Sequence, residues 1–401
     1  MNKESKKPIA LLLCATHNDL GLVRALRKLG YYIIATGNKI DTLGKRWVDK
    51  WLPIDYSDKE KILEIAKKYE INAICQCCND FGVYTAAYVA EQLGLPGYDS
   101  YENTVILHNK DKFKKLAKQY GILTPDSKGF IRKEAAKFEI CKMHFPVIIK
   151  PVDASAGNGI TKVEAEEEID EALDYAFANS KSNRIIVEEY ISGKQYGFCT
   201  FIKDRKVVAI ASNNEYSMLN PYRVEIDTWP ADTYDSCEKI LVEKIESIAN
   251  VLQLEDGIFH LQYIYKDGKP WIIEVMRRIL GNMYSVLANQ LNGFDWDYWE
   301  VRAKCGLDCK DFPVKSKQEG FYAYKTVLAE ANGKIADIKI PRCYQKYIFS
   351  EYWLLNVGDI VENNLKQPIG FLFMMFSSRE EMEDVLINSY KSDLVKIEKL
   401  A

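Results

Sequence analysis

Short apolar runs alternate with helical patterns over the N-terminal quarter of the chain. Residues 9–15 form a continuous apolar run, and residues 20–29 place apolar side chains at helical spacing before Gly30. Further apolar or β-rich runs follow at 31–35, 51–54 and 73–78. This alternation is typical of βαβ units, so we predict a parallel sheet with helices on both faces.

A different pattern begins near residue 109. A lysine-rich helical segment ends at Gly121, and longer β-rich segments follow it. Two of them, 257–265 and 271–275, flank Lys-Asp-Gly-Lys-Pro, a turn sequence that predicts a β-hairpin. The tail after residue 306 contains mostly short β-rich segments. The sequence therefore predicts a multidomain protein that combines α/β and α+β regions.

Charge and hydropathy exclude two classes of partner. The chain has 54 Lys and Arg residues against 57 Asp and Glu, a net charge of −3, so we expect no nucleic-acid partner. The apolar runs are too short to span a bilayer, so we expect no membrane partner. The N-terminus is similar to a secretory signal but lacks a small-residue cleavage site, and we therefore expect a cytoplasmic protein.

Three of the ten cysteines lie close together, at Cys75, Cys77 and Cys78. Cys75 and Cys78 have the spacing of a zinc site, but no second pair of ligands is evident. We therefore expect reduced, small hydrophobic side chains in a buried strand rather than a metal site.

The candidate chemistry begins at Lys150, which ends the apolar run Pro-Val-Ile-Ile and precedes a loop of small residues at 153–159. A lysine at a strand edge can simply extend toward solvent. The loop favours a phosphate site, because backbone amides approach phosphate oxygens only where side chains are small. Ser155 adds a hydroxyl donor there.

Further charged groups follow two other apolar runs. Glu188 and Glu189 end a β-branched segment, and alone they could be a solvated turn. Glu274 ends a strand shortly before Arg278, a pair that suits either Mg²⁺ with an anionic substrate or a plain surface ion pair. The sequence has no Walker A motif, kinase catalytic loop, G-x-S-x-G elbow or dinucleotide-binding glycine motif.

The order of these features resembles that of the ATP-grasp superfamily. A lysine-bearing helix, Pro-Val-Ile-Ile-Lys-Pro with its small loop, Val-Glu-Glu-Tyr-Ile and a hairpin with Glu-x-x-x-Arg follow one another within residues 8–310. The chain is similar to carboxylate–amine ligases, including the L-amino-acid (dipeptide) ligase branch and its biotin-carboxylase-like relatives. The resemblance implies three domains: a pre-ATP-grasp α/β domain at 1–107, an ATP-grasp domain at 108–305 with a lid at about 124–190, and a small β-rich C-terminal domain at 306–401.

The resemblance also implies roles for individual residues. Lys112 and Lys150 would hold the phosphates of ATP, and Lys150 and Arg278 would act in catalysis. Glu274 and Gln262 would occupy the positions of the ligands to Mg²⁺, with Mn²⁺ as an alternative metal. The remaining nucleotide-binding residues would come from the phosphate loop, the adenine linker and the ribose position: Ser155, Ala156, Gly157, Gly159, Glu188, Glu189, Ile191 and Gln195.

Three positions depart from the family pattern. Gln195 stands where a ribose-binding carboxylate is usual, and hydrogen bonding to hydroxyls survives that change. Gln262 stands where the first magnesium carboxylate is usual, and a neutral amide binds Mg²⁺ more weakly. Met276 stands in place of an asparagine that the dipeptide-ligase branch also lacks.

The implied reaction is the ATP-dependent activation of a small-molecule carboxylate as an acyl phosphate, followed by attack of an amine. One alternative is a nucleotide-binding protein that has lost ligation, which Gln262 and Gln195 favour. Another is a subunit related to carbamoyl phosphate synthase, although that enzyme duplicates its ATP-grasp half and this chain has one.

Four residues are candidates for contact with the acid or the amine: Asn79, Asp80, Arg223 and Arg277. For Asn79 and Asp80 a plain helix cap is an equal alternative. A homodimer is compatible with the sequence. Neither the acid nor the amine is identified by these residues.

Overall fold

The computed structural model describes residues 7–38, 43–154, 157–313 and 318–398. The N-terminal region contains β1 (Ile9–Leu13), α1 (Leu20–Lys28), β2 (Tyr32–Thr36), β3 (Lys50–Leu52), α2 (Lys59–Lys68), β4 (Ala73–Cys75), α3 (Asp80–Leu93) and α4 (Tyr101–His108). Its strands pair in parallel in the order β3-β2-β1-β4. This arrangement confirms the predicted parallel sheet.

Strand β1 is buried on both faces, which explains why its sequence is a continuous apolar run. Leu12 packs in the core cluster that contains α1, and Leu11 and Leu13 pack in the cluster that contains α2 and α3. The carboxyl ends of β1 and β4 lead to loops joined by a hydrogen bond from the Cys78 amide to Asp19 Oδ1. Polar loop residues are thereby collected at one edge of the sheet.

The next region contains α5 (Lys110–Gln119), β5 (Ser127–Phe130), α6 (Lys133–Ile140), β6 (Val147–Pro151), β7 (Thr161–Val163), α7 (Ile169–Ala178) and β8 (Ile185–Glu189). The strands form an antiparallel sheet in the order β5-β8-β6-β7, which we call the lid sheet. Helices α6 and α7 cover one face, where Ile149 and Val187 are buried. Lys150 and Glu188 point to the opposite face, because successive residues of a strand alternate.

The rest of the chain supplies one large sheet and one small one. Its elements are β9 (Lys194–Lys203), β10 (Lys206–Tyr216), β11 (Ile226–Trp229), α8 (Tyr234–Val251), β12 (Gly257–Lys266), β13 (Lys269–Met276), α9 (Ser285–Asn292), α10 (Trp296–Lys304), β14 (Phe321–Val327), β15 (Gly333–Ile338), α11 (Arg342–Gln345), β16 (Ile348–Trp353), β17 (Ile360–Val361), β18 (Gly370–Phe376), α12 (Arg379–Glu383) and β19 (Val395–Glu398). Strands β12 and β13 form the predicted hairpin.

The large sheet has the order β13-β12-β9-β10-β11-β14-β18-β16. Phe198 of β9 and Leu261 of β12 pack with α8 on one face. Gln195 and Gly197 therefore point to the other face, which borders the same cleft as Lys150. Strands from both sides of residue 305 belong to this sheet, so the division into domains stays a prediction.

The other sequence expectations have mixed outcomes. Cys75 and Cys77 are buried, as predicted, and Cys78 is half-buried. Within the described ranges, no helix combines the length and the apolar character needed to cross a bilayer. The mixed fold class is confirmed by the parallel and antiparallel sheets. Helix α8 and strands β10 and β11 were not predicted.

Candidate active site

A buried glutamate joins two lysines on the cleft face of the lid sheet. Lys150 Nζ lies 2.7 Å from Glu188 Oε2, and Lys114 Nζ lies 3.6 Å from Glu188 Oε1. Burial alone would raise the pKa of Glu188, but Lys114 and Lys150 outweigh it and lower that pKa. The three side chains carry two positive charges and one negative, so the group favours a bound anion such as phosphate.

Lys114 belongs to the buried face of α5. Lys110, Phe113, Lys114 and Ala117 are the buried residues of this helix, at the i, i+3, i+4, i+7 spacing of one helical face. Lys112 lies off this face and is exposed. The structure therefore brings Lys114, and not the predicted Lys112, next to Lys150.

Lys110 connects the β13 strand to the phosphate loop. Its Nζ lies 3.0 Å from Glu274 Oε2 and donates a hydrogen bond of 2.8 Å to the Ala154 carbonyl. Burial alone would lower the pKa of Lys110, but the charge of Glu274 outweighs it and raises that pKa. A cation is thus already seated on the predicted metal ligand, beside the loop predicted to hold phosphates.

The loop after β6 contains two glycines with backbone conformations that favour glycine. Gly157 and Gly159 have φ of +73° and +74°, and a Cβ at Gly157 would lie 2.5 Å from the Tyr222 carbonyl oxygen. Larger residues would be strained at both positions. Ser155 and Ala156 lie outside the described residues, so their predicted roles stay predictions.

Arg278 is held at the edge of the N-terminal sheet by Asp80. Its Nε donates to Asp80 Oδ1 at 2.7 Å and its Nη2 donates to Oδ2 at 3.2 Å. His108 Nδ1 lies 3.2 Å from the same Oδ1. Burial alone would raise the pKa of Asp80, but Arg278 and His108 hold it well below its usual range. The Arg278 side chain is buried, so an exposed surface pair does not describe it.

The two residues predicted together at the start of α3 have different roles. Asn79 caps the helix, because its Oδ1 accepts the Phe81 amide at 3.0 Å. This confirms the helix-cap interpretation for Asn79. Asp80 instead lines the cleft together with Lys110 and Glu274.

The two arginines predicted for substrate lie in different surroundings. Arg277 donates to both carboxylate oxygens of Asp99 and to the carbonyls of Glu255 and Ile258, and it is 2% exposed. These internal contacts use its donors, so the structure gives Arg277 a structural role. Arg223 is half-buried and donates to the Lys366 carbonyl.

The adenine linker follows the last strand of the lid sheet. Glu189 is half-buried, and its Oε1 accepts the Asp126 amide at 2.9 Å. Ile191 is 5% exposed. Glu188, which was predicted with this linker, instead pairs with Lys114 and Lys150.

The floor of the cleft is a row of polar residues across the large sheet. Gln262 of β12 is directly opposite Glu274 of β13 and Gly197 of β9. One strand further, Glu215 of β10 is opposite Gln195 of β9. Gln262 Nε2 and Gln195 Nε2 both donate to Glu215 Oε2, at 2.7 and 2.5 Å.

The predicted metal ligands fit a magnesium nucleotide in their chemistry. Glu274 and Gln262 offer oxygen atoms, the ligand type that Mg²⁺ takes. They face the cleft side by side on one hairpin. The positive charge of Lys110 beside Glu274 indicates that a cation is accommodated at this position.

Sequence reasoning missed three residues of the cleft: Lys110, Lys114 and Glu215. The lysines could have been found from helical spacing, since they share a face with Phe113 and Ala117. No such signal identified Glu215, because it becomes a neighbour of Gln262 only through the strand order β12-β9-β10.

A family model and several curated proteins match part of this chain. A model of the ATP-grasp domain matches residues 107–282. The large chain of carbamoyl phosphate synthase from Clostridium beijerinckii is 23% identical over 260 residues, which cover 64% of this chain and 24% of that protein. The chain thus spans about a quarter of the length of the curated relatives it matches.

Two solved structures are similar over nearly the whole chain. L-amino acid ligase from Bacillus licheniformis has a TM-score of 0.81 at 18% identity, covering 99% of this chain and 100% of that one. The biotin carboxylase domain of Hydrogenobacter thermophilus 2-oxoglutarate carboxylase, in complex with MgADP, ADP and bicarbonate, has a TM-score of 0.76 at 17% identity, covering 98% and 92%. Residues 107–282 therefore match the ATP-grasp domain model, and the whole chain has a fold similar to that of these two proteins.

Proposed function

We propose that the protein is an ATP-dependent ligase that activates a substrate carboxylate as an acyl phosphate and joins it to an amine. One observation carries this proposal: charged groups form a connected set around the cleft lined by Lys110, Asp80 and Glu274. Asp80 holds Arg278, and Lys110 also interacts with Glu188, the partner of Lys114 and Lys150. Positive groups and a metal-binding carboxylate are what phosphoryl transfer requires, since the protein's task is positioning and charge neutralisation.

Lys150 and Lys114 would contact the phosphates of ATP from the lid. Glu188 keeps both ammonium groups in place without cancelling their combined charge. The backbone amides of the loop at 153–159 would approach the same phosphates, because Gly157 and Gly159 carry no side chain. Mg²⁺ bound with the nucleotide would neutralise the charge that develops on the transferred phosphoryl group.

Arg278 is the residue that supports an acyl-transfer step. Asp80 fixes its guanidinium through two hydrogen bonds, so the group is oriented before substrate arrives. A fixed guanidinium can stabilise the negative charge that develops when an amine attacks the acyl carbonyl. The lid sheet would exclude water from the acyl phosphate until the amine has reacted. Arg223 is the remaining candidate for recognising an anionic part of the substrate.

The experiment is a measurement of phosphate release from Mg·ATP in the presence of pooled amino acids and other small carboxylates, each with and without amines. Acid-dependent release that disappears in Glu274→Ala, with nucleotide binding retained, supports ligation. The pools include bicarbonate with ammonia, because the curated relatives are carbamoyl phosphate synthase chains.

A second candidate function is nucleotide binding without ligation. Gln262 favours it, since a neutral amide stands where the family has a magnesium carboxylate. Tight binding of ATP with no phosphate release from any pool would support this candidate. A cytoplasmic location and a homodimer remain part of the proposal, and sedimentation of the purified protein tests the dimer.

A further inference from the structure

The carboxylate of Glu215 lies beside Gln262, the position where a magnesium-binding carboxylate is usual. Glu215 reaches Gln262 although their strands, β10 and β12, are not neighbours: β9 lies between them. Adjacent strands are about 4.8 Å apart, so the two backbones are separated by roughly twice that distance. Two long side chains must extend toward each other over β9 to form the observed contact of 2.7 Å.

Gly197 lies close to this contact and has no side chain. It lies on β9 directly opposite both Gln262 and Asn213. A Cβ at Gly197 would lie 2.4 Å from Asn213 Oδ1, so no side chain fits between the flanking strands. The Asn213 side chain occupies that space and hydrogen-bonds Glu215, whose carboxylate extends over β9 beside it to reach Gln262 of the β12–β13 hairpin.

The partners of Glu215 leave its negative charge uncompensated. Its hydrogen-bond partners are the side-chain amides of Gln195, Gln262 and Asn213, all neutral. The side chain is half-buried in the cleft, and Glu274 is a neighbouring carboxylate on the same face. Two carboxylates converging on one amide form an arrangement that a divalent cation would stabilise.

We propose that Glu215 of β10 is the second carboxylate of the magnesium site, in place of the one that Gln262 does not provide. Glu274, Glu215 and the amide of Gln262 then offer two negative charges and a neutral oxygen, within the usual requirement of one or two carboxylates plus phosphate oxygens. The inference rests on the proposed binding of magnesium nucleotide, and it explains how a chain with Gln262 keeps metal affinity.

The test measures Mn²⁺ binding by electron paramagnetic resonance in the presence of ADP, which needs no turnover. Glu215→Gln is expected to weaken Mn²⁺ binding by about 10- to 100-fold, the usual range for disturbing a metal site. Metal-free binding of ADP is expected to weaken less than Mn²⁺ binding does, because Glu215 also contacts Gln195 at the predicted ribose position. The double variant Glu215→Gln/Gln262→Glu is expected to recover most of the lost Mn²⁺ affinity, because it moves the carboxylate to β12.

The matched control is Glu351→Gln. Glu351 is exposed on β16, which lies at the opposite edge of the large sheet from β13, so the Mn²⁺ affinity of this variant should stay at the wild-type level. Unchanged Mn²⁺ affinity in Glu215→Gln would overturn the inference alone. Absence of nucleotide-dependent Mn²⁺ binding in the wild type would overturn the proposed function as well. If Glu215→Gln does not fold, Glu215→Asp, which is one methylene shorter, is expected to show the same loss.

Discussion

Glu188 and Glu215 are both glutamates at the cleft, one on the lid sheet and one on the large sheet, but their surroundings differ. Glu188 has two ammonium groups within 3.6 Å. Among the described residues, the hydrogen-bond partners of Glu215 are side-chain amides. Accordingly the pKa of Glu188 is lowered by Lys114 and Lys150, whereas desolvation raises the pKa of Glu215 to about 6.

The difference lies in whether the negative charge is compensated within the protein. The negative charge of Glu188 is already compensated, so this residue positions the lysines that would meet ATP. The charge of Glu215 is held in place by hydrogen bonds without being neutralised. A carboxylate of this second kind is expected where a cation binds during function.

The largest expected effect comes from removing the compensated charge. Glu188→Gln leaves two buried ammonium groups without a carboxylate, and we expect the free energy of unfolding to fall by about 3 kcal/mol. Glu215→Gln removes a charge whose hydrogen-bond partners are neutral amides, so it should lower the free energy of unfolding by less than about 1 kcal/mol. Urea unfolding of the ligand-free proteins measures both values, and equal losses would contradict the comparison.

The next effect tests which lysine of α5 belongs with Glu188. We expect Lys114→Met to raise the dissociation constant of ATP by roughly 10- to 100-fold, since a charge-assisted hydrogen bond is worth about 1.5–3 kcal/mol. Lys112 is exposed, so Lys112→Met is the matched control and should change the dissociation constant of ATP by less than about twofold. Isothermal titration calorimetry measures both constants. A larger effect at Lys112 would restore the role predicted for it from sequence.

The smallest effect extends the comparison to a buried carboxylate outside the cleft. Asp297 Oδ2 accepts a hydrogen bond of 2.8 Å from Ser285 Oγ, while Oδ1 has no hydrogen-bond partner among the residues that the structure describes. Burial raises the pKa of Asp297 from 3.8 to about 7. Because the folded state binds this proton more tightly than the unfolded state, its contribution to stability is lost as pH rises from 3.8 to 7.

Asp297→Asn removes that titration. Between the acidic and the neutral end of this window, we expect the free energy of unfolding of the variant to rise by roughly 1–2 kcal/mol relative to that of wild type. Melting temperatures at a series of pH values measure the gain. Parallel pH profiles of the two proteins would show that the carboxyl of Asp297 is not held protonated by the fold.

The sequence predicts local features of this molecule better than contacts across strands. The apolar run of β1 and the turn between β12 and β13 identify their elements, because burial and turn geometry act on neighbouring residues. Lys150 and Glu274 could be selected because each follows a short apolar run in the sequence. Glu215 could not, since its meeting with Gln262 depends on β9 lying between β10 and β12. Lys114 was not predicted, although its spacing from Lys110 and Ala117 in the sequence indicates that it lies on the same helical face as these residues.

The continuity of the large sheet has a practical consequence for dissecting the protein. Strand β11 pairs with β14, and β14 with β18, so the core continues past residue 305. A chain shortened at that residue would expose the edge of β11 with unpaired backbone amides and carbonyls, which invites intermolecular strand pairing. Residues 107–282 are therefore best expressed together with the C-terminal strands, and aggregation of a truncated form would reflect this exposed edge rather than a defect in the cleft.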